Sequence, residues 1–255
     1  MDKKLQATAA VLGILASLVA VTVFLSGHTS LGGFFGRSVL TPTSTSAPPF
    51  GSSVAPTPTS TVTSLSTSYL QITQTQQPTW SSSLQVQDNH NWVDNHNTCV
   101  LSESGYQVSI HQAGRSTECL AQNSDASLNN IVIRVQMQVI SGKDAGGIFF
   151  RNTNSNGYFF TMNASGDYGL YLAGKGRYLK CDPTQCHTSY FKSNQPNILG
   201  IIVNGNHIEF WVNDHQIFTL DDKDHTFSAG TIGFGAVYGS QPSQVVFSTL
   251  QVWVL

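Results

Sequence analysis

Charge is what this sequence has least of. Twelve lysines and arginines and 14 aspartates and glutamates are spread over 255 residues, and from Ser38 to Gln87 there is no charged side chain. A chain this poor in basic residues lacks the positive stripe that nucleic-acid binding needs. Glutamate is scarcest: Glu103, Glu118 and Glu209 lie in separate segments. No strand can therefore carry the pair of carboxylates, about 5–5.5 Å apart, that a retaining glycosidase requires. Glycine-rich phosphate loops are missing, and no Ser-His-Asp set can be assembled from spacing. A second long apolar run is missing too, which excludes a multi-span transporter.

The one long apolar run is Ala7 to Leu25. Its 19 residues would extend about 29 Å as a helix, close to the ~30 Å hydrocarbon core of a bilayer. Lys3 and Lys4 precede it, so the positive-inside rule keeps residues 1–6 in the cytoplasm and sends the rest across. A cleaved signal peptide is the competing reading, but its apolar region is usually about 7–15 residues and ends at a small-x-small site. Both readings place the C-terminal part outside. We therefore expect a single-pass plasma-membrane anchor at 7–25. Residues 26–87, rich in Ser, Thr, Pro and Gln, are expected to form a disordered stalk, because they carry too little apolar surface to offset the entropy of ordering them. Leu70-Gln71-Ile72 and Trp80 are the residues there able to dock on a domain.

Residues 88–255 read differently. Proline is scarce, and apolar and polar residues alternate in Tyr106–Ile110, Ile131–Val139, His207–Val212 and Val245–Trp253. A period of two marks strands with one face buried. Turn signals separate them, among them Asn156-Gly157, Gly174-Lys175-Gly176 and Asn204-Gly205-Asn206, which tolerate positive φ. About twelve or thirteen strands and no convincing helix predict an all-β fold, a two-sheet antiparallel sandwich.

Cys99, Cys119, Cys181 and Cys186 form an even set in a domain expected outside the cell, which favours two disulfides. Cys181 and Cys186 close a short loop; Cys99 then pairs with Cys119, across neighbouring strands. Zinc would prefer a Cys-x2-Cys spacing that neither pair has. Asp221-Asp222-Lys223-Asp224-His225 is the one acidic cluster, a candidate for a structural calcium ion and otherwise a solvated turn. Asp88-Asn89-His90-Asn91 recurs as Asp94-Asn95-His96-Asn97 around Trp92. It is a candidate transition-metal set and, more simply, a polar loop whose tryptophan caps the sandwich. No other cofactor is expected. Asn163-Ala164-Ser165 fits the N-glycosylation pattern.

Gly146-Gly147-Ile148-Phe149-Phe150-Arg151, then Gly157-Tyr158-Phe159-Phe160, Gly166-Asp167-Tyr168-Gly169-Leu170 and Trp211-Val212-Asn213-Asp214, resemble the concanavalin A-like lectin/glucanase superfamily over about residues 90–255. The nearest likeness is to laminin G-like and 3-keto-disaccharide-hydrolase-like domains of bacterial surface proteins. The resemblance implies a jelly roll whose concave sheet commonly holds carbohydrate. It also implies a Gly-Tyr-Glu-x-Gln segment after the arginine strand in the hydrolases. Here Phe159 stands at the acid position and Thr161 at the glutamine position, which puts catalysis in doubt. Arg151 matches the family arginine. Alternation can place Arg151, Phe159 and Thr161 on one sheet face, with Tyr171 on the next strand, as the candidate ligand-binding set. The expectation is a membrane-tethered extracellular sandwich that binds carbohydrate or another surface ligand without catalysis. A hydrolase or lyase of the keto-disaccharide type and a structural or adhesion module remain open beside it. Signalling would need a separate partner.

Overall fold

The structure is a computed structural model that describes residues 68–123, 127–143, 145–237, 239 and 241–255. The anchor expected at 7–25 and the stalk up to residue 67 lie outside the described residues. Among the described residues, no helix is long and apolar enough to cross a membrane.

One short helix, α1 (Tyr69–Thr75), is followed by fourteen strands. They are β1 (Trp80–Ser82), β2 (Cys99–Ser102), β3 (Gly105–Ile110), β4 (Ser116–Leu120), β5 (Ile131–Ser141), β6 (Gly146–Thr153) and β7 (Asn156–Met162). Then come β8 (Tyr168–Ala173), β9 (Arg177–Lys180), β10 (Asn197–Asn204), β11 (His207–Val212), β12 (His215–Asp221), β13 (Thr231–Val237) and β14 (Ser243–Val254). Thirteen of them fall within 88–255, as the alternation predicts. An eight-stranded sheet runs β12-β11-β10-β5-β14-β3-β2, with β1 also on β14, and a six-stranded sheet runs β4-β13-β6-β7-β8-β9. The described strand pairs are antiparallel.

The core lies between the sheets. Ile133, Val135 and Met137 of β5 and Val245 and Phe247 of β14 meet Phe150, Tyr158, Phe160 and Phe234 of the other sheet. Phe160 stacks on Phe210 and Phe234 on Phe247, each with ring centroids 4.4 Å apart and each pair spanning the two sheets. Each fully buried aromatic of this kind contributes on the order of 1.5–3 kcal/mol. Trp92 is buried against Phe234 at 5.4 Å, so it belongs to the core. The two Asp-Asn-His-Asn repeats make local turns: Asp88 accepts from the His90 amide and Asp94 from the His96 amide.

Two expectations need correction. The stalk does not run to residue 87, because residues 68–87 are part of the fold. Ser68 caps α1 by accepting from the Gln71 amide. Tyr69 and Ile72, three residues apart on one helix face, are fully buried against Val132, Ile202, Trp211 and Trp253 on the outer face of the eight-stranded sheet. Tyr69 stacks on Trp211 at 5.0 Å. Trp253 Nε1 donates to the Gln76 carbonyl, and β1 adds three pairs to β14. Few apolar residues suffice here because the sheet supplies the rest of the apolar surface. The second correction concerns Cys99–Cys119. The pairing is as expected, with Cα atoms 5.8 Å apart, but β2 edges one sheet and β4 the other. The bond ties the two sheets together; it does not join neighbours in one. Cys181–Cys186 closes its short loop as expected.

Candidate functional site

The outer face of the six-stranded sheet carries two adjacent rows. Phe149 on β6 faces Phe159 on β7, Phe159 faces Tyr171 on β8, and Tyr171 faces Tyr178 on β9. That register makes an aromatic row across four strands. Phe149 and Phe159 stack nearly parallel at 3.9 Å, and Tyr171 meets Tyr178 edge-on at 5.3 Å. The neighbouring row is Gly235, Gly147, Thr161 and Gly169. Its glycines make room for the rings: a Cβ on Gly235 would lie 2.5 Å from Phe149 Cε2, and one on Gly169 2.8 Å from Tyr178 Cε1. Beyond this row stand Val237 and Ser116.

A cleft of about 280 Å³ opens over these rows, lined by Arg115, Ser116, Phe159, Thr161, Tyr171 and Tyr178. Phe159 and Thr161 form its floor at 2 % exposure each, while Tyr178 is 39 % exposed at the rim. Burial and the charge of Asp182 push the Tyr178 hydroxyl above the ordinary tyrosine range, so it stays a neutral donor and acceptor. Arg115 is exposed and has no hydrogen-bond or ion-pair partner among the described residues. No carboxylate lines the cleft. Glu118, two residues beyond Ser116 on β4, has both oxygens engaged, by Asn152 Nδ2 and Ser155 Oγ.

Of the four residues expected together, Phe159, Thr161 and Tyr171 share this cleft and Arg151 does not. The β6–β7 register slips between Phe150 and Thr153, and Arg151 has φ of +47°. A bulge of this kind turns one side chain out of the alternation. Arg151 is 4 % exposed. It donates from Nε and Nη2 to the Asn129 carbonyl, from Nη2 to that of Gly205 at 2.7 Å and from Nη1 to that of Phe227 at 3.2 Å. It clamps three loops and does not line the cleft. Burial lowers its pKa, opposed by Tyr158 and Asp222.

The acidic cluster is divided among different partners. Burial resists the charge of Asp222, but donation from Tyr158 Oη and from Thr226 outweighs it and holds the carboxyl below its usual range. Burial above all pushes the Tyr158 hydroxyl up. Asp221 pairs with His207. Among the described residues no three His, Cys, Asp or Glu side chains converge to hold a metal. Asn163 is tied into a turn, donating to Asp167 and accepting from the Ser165 and Asp167 amides.

Sequence reasoning missed Tyr178 and Arg115. The signal for Tyr178 was present: a hairpin at Gly174-Lys175-Gly176 brings the tyrosine after it opposite Tyr171. Arg115 precedes a strand and left no such signal.

The fold, an antiparallel two-sheet sandwich among the described residues, together with the family match places the domain in the concanavalin A-like superfamily. Within it, the chain belongs to the 3-keto-alpha-glucoside-1,2-lyase-like domain family, whose sequence model matches residues 77–252. That match begins before β1, in keeping with the folded state of the segment there. Among solved structures, the carbohydrate-binding module CBM66 from Bacillus subtilis shares 20 % identity over 64 % of this chain and 94 % of its own, with a TM-score of 0.50. A Bacillus subtilis protein of unknown function with a galectin-like fold shares 12 % identity over 70 % of this chain and 96 % of its own, with a TM-score of 0.49. At 20 % identity the likeness to CBM66 speaks to the fold alone. No curated protein matches the chain.

Proposed function

We propose that the domain binds carbohydrate in the cleft of the six-stranded sheet and does not cleave it. The observation that carries this reading is the aromatic row laid beside a glycine row. Sugar rings pack their C–H faces on Tyr171 and Tyr178, and the hydroxyls of Thr161, Ser116 and the two tyrosines, with the Arg115 guanidinium, meet the sugar hydroxyls. A largely preformed cleft with an apolar floor and a few placed polar groups is the usual form of a small-ligand site. Most glycosidases use a pair of acid and base carboxylates; among the described residues the lining has none, and Phe159 and Thr161 stand where the resemblance to the hydrolases implies Glu and Gln. In this reading the domain is displayed outside the cytoplasm on the apolar segment at 7–25, where its two disulfides persist.

The test is a glycan array probed with the full chain, with Tyr171→Ala and Tyr178→Ala alongside, and an assay on 3-keto-glucosides. Binding to a restricted set of glycans is expected. Each alanine should weaken it about tenfold, as the loss of roughly 1–1.5 kcal/mol of aromatic contact implies, with no turnover. Retained binding in both variants, or turnover of the keto-glucoside, would defeat the proposal.

A further inference from the structure

A second cleft lies on the outer face of the eight-stranded sheet, where β14 changes partner. β14 pairs with β3 as far as Phe247 opposite Tyr106 and takes up β1 from Leu250 opposite Ser82. Its register against β5 slips between Ser248 and Gln251, and Thr249 in between has φ of +53°. For a β-branched residue that conformation is an outlier costing on the order of 1–3 kcal/mol, and such strain gathers at ligand clamps and other functional sites.

The seam opens a cleft of about 530 Å³, lined among others by Ser81, Gln85, Ser104, Gln136, Thr249 and Gln251. This lies within the roughly 300–1,000 Å³ of small-ligand sites. No charged side chain lines it. The nearest charges bond to lining side chains: Arg134 donates to Gln251 Oε1 at 3.5 Å, and Asp88 accepts from Ser82. Gln136 Oε1 accepts from Ser248 at 2.8 Å, and Gln85 Nε2 donates to the Glu103 carbonyl at 2.7 Å. These bonds fix three carboxamides. They leave Gln136 Nε2, Gln251 Nε2 and Gln85 Oε1 without a partner among the described residues. Carboxamides and hydroxyls present donors and acceptors together, which suits a neutral polyhydroxy ligand, whereas a charged ligand would lose hydration against a lining that itself carries no charge.

We propose that this seam is a second binding site, for a short uncharged stretch of oligosaccharide. The inference does not depend on the aromatic cleft of the other sheet. With no aromatic platform, hydrogen bonds hold the ligand, each worth about 1 kcal/mol net, and the affinity is millimolar. The test titrates the full chain, nitrogen-labelled, with maltopentaose, cellopentaose and laminaripentaose, and with trigalacturonate as the charged control. The side-chain amide resonances of Gln85, Gln136 and Gln251 are read by NMR. At least one neutral sugar should shift them saturably, and the shift should persist in the Tyr178→Ala chain. Gln136→Leu should weaken binding about fivefold, the loss of one neutral hydrogen bond, read at Gln251. Ser104→Trp, on an exposed turn, should block the cleft without disturbing folding. No shift with any neutral sugar, an equal shift with trigalacturonate, or a shift lost in Tyr178→Ala would overturn the inference. Absence of array binding by the unaltered chain, with these shifts intact, would sink only the aromatic-cleft reading.

Discussion

On the eight-stranded sheet the outer-face aromatics Trp211 and Trp253 lie beneath helix α1, whereas on the six-stranded sheet Tyr171 and Tyr178 border an open cleft beside a row of glycines. Both sheets place large rings outward. On one, Tyr69 and Ile72 complete the packing and the aromatics serve stability. On the other, no described element covers the cleft, and in our proposal the same chemistry serves a ligand. An outward aromatic is thus a site or a support according to what the chain lays over it, and alternation within a strand cannot tell the two apart.

The largest effect that sharpens this comparison comes from the bond between the sheets. Removing Cys99–Cys119 as a double alanine variant should cost about 3 kcal/mol, and removing Cys181–Cys186 about 2 kcal/mol. The difference follows from the loop lengths of 20 and 5 residues under the chain-entropy account; denaturant midpoints under oxidising conditions would check it. A gap well above that difference would show that joining two sheets adds to the closing of a loop, and equal costs would contradict the chain-entropy account.

Next, Tyr69→Ala should cost about 2 kcal/mol, the burial of one aromatic, and should expose residues 68–76 to proteolysis before global unfolding. Unchanged cleavage there would show that the helix does not depend on Tyr69.

The smallest effect is a pH dependence at the border of the covered face. His207 donates to or accepts from Asp221 at 2.8 Å and Glu209 at 3.2 Å, and Glu209 accepts from Trp211 Nε1 at 3.0 Å. The hydrogen bond to Asp221, joined by that to Glu209 and opposed by burial, raises the His207 pKa. A raised folded pKa adds stability that is full below the unfolded value, about 6.5. That stability fades as pH rises through the folded pKa. Because the imidazole is 45 % exposed, screening holds the gain below about 1 kcal/mol. Wild type should therefore exceed His207→Gln in stability between about pH 5 and 6.5, with the gap closing toward pH 8. A gap that widens with pH would reverse the assignment.

Much of this was legible in the sequence, for local reasons. Period-two runs located the strands, and the cysteine spacings gave the right partners. Alternation brought Phe159, Thr161 and Tyr171 to one face. What escaped was non-local or irregular. That Cys99 and Cys119 sit on different sheets depends on the strand order, which no short segment encodes. Arg151 left the expected face because a one-residue bulge shifted the parity of β6. The segment 68–87 looked like more of the tract before it, since three buried apolar side chains, Tyr69, Ile72 and Leu84, among Ser, Thr and Gln are a weak signal until the surface that receives them is known.

The docking of α1 also bears on mechanics. The first described residue, Ser68, caps a helix whose buried face lies on the outside of the eight-stranded sheet, on the other sheet from the aromatic cleft. Tension applied from that end would fall first on a seven-residue helix and the three pairs joining β1 to β14. The sandwich proper, fastened by its own disulfide, would feel the pull only after that short clasp had let go.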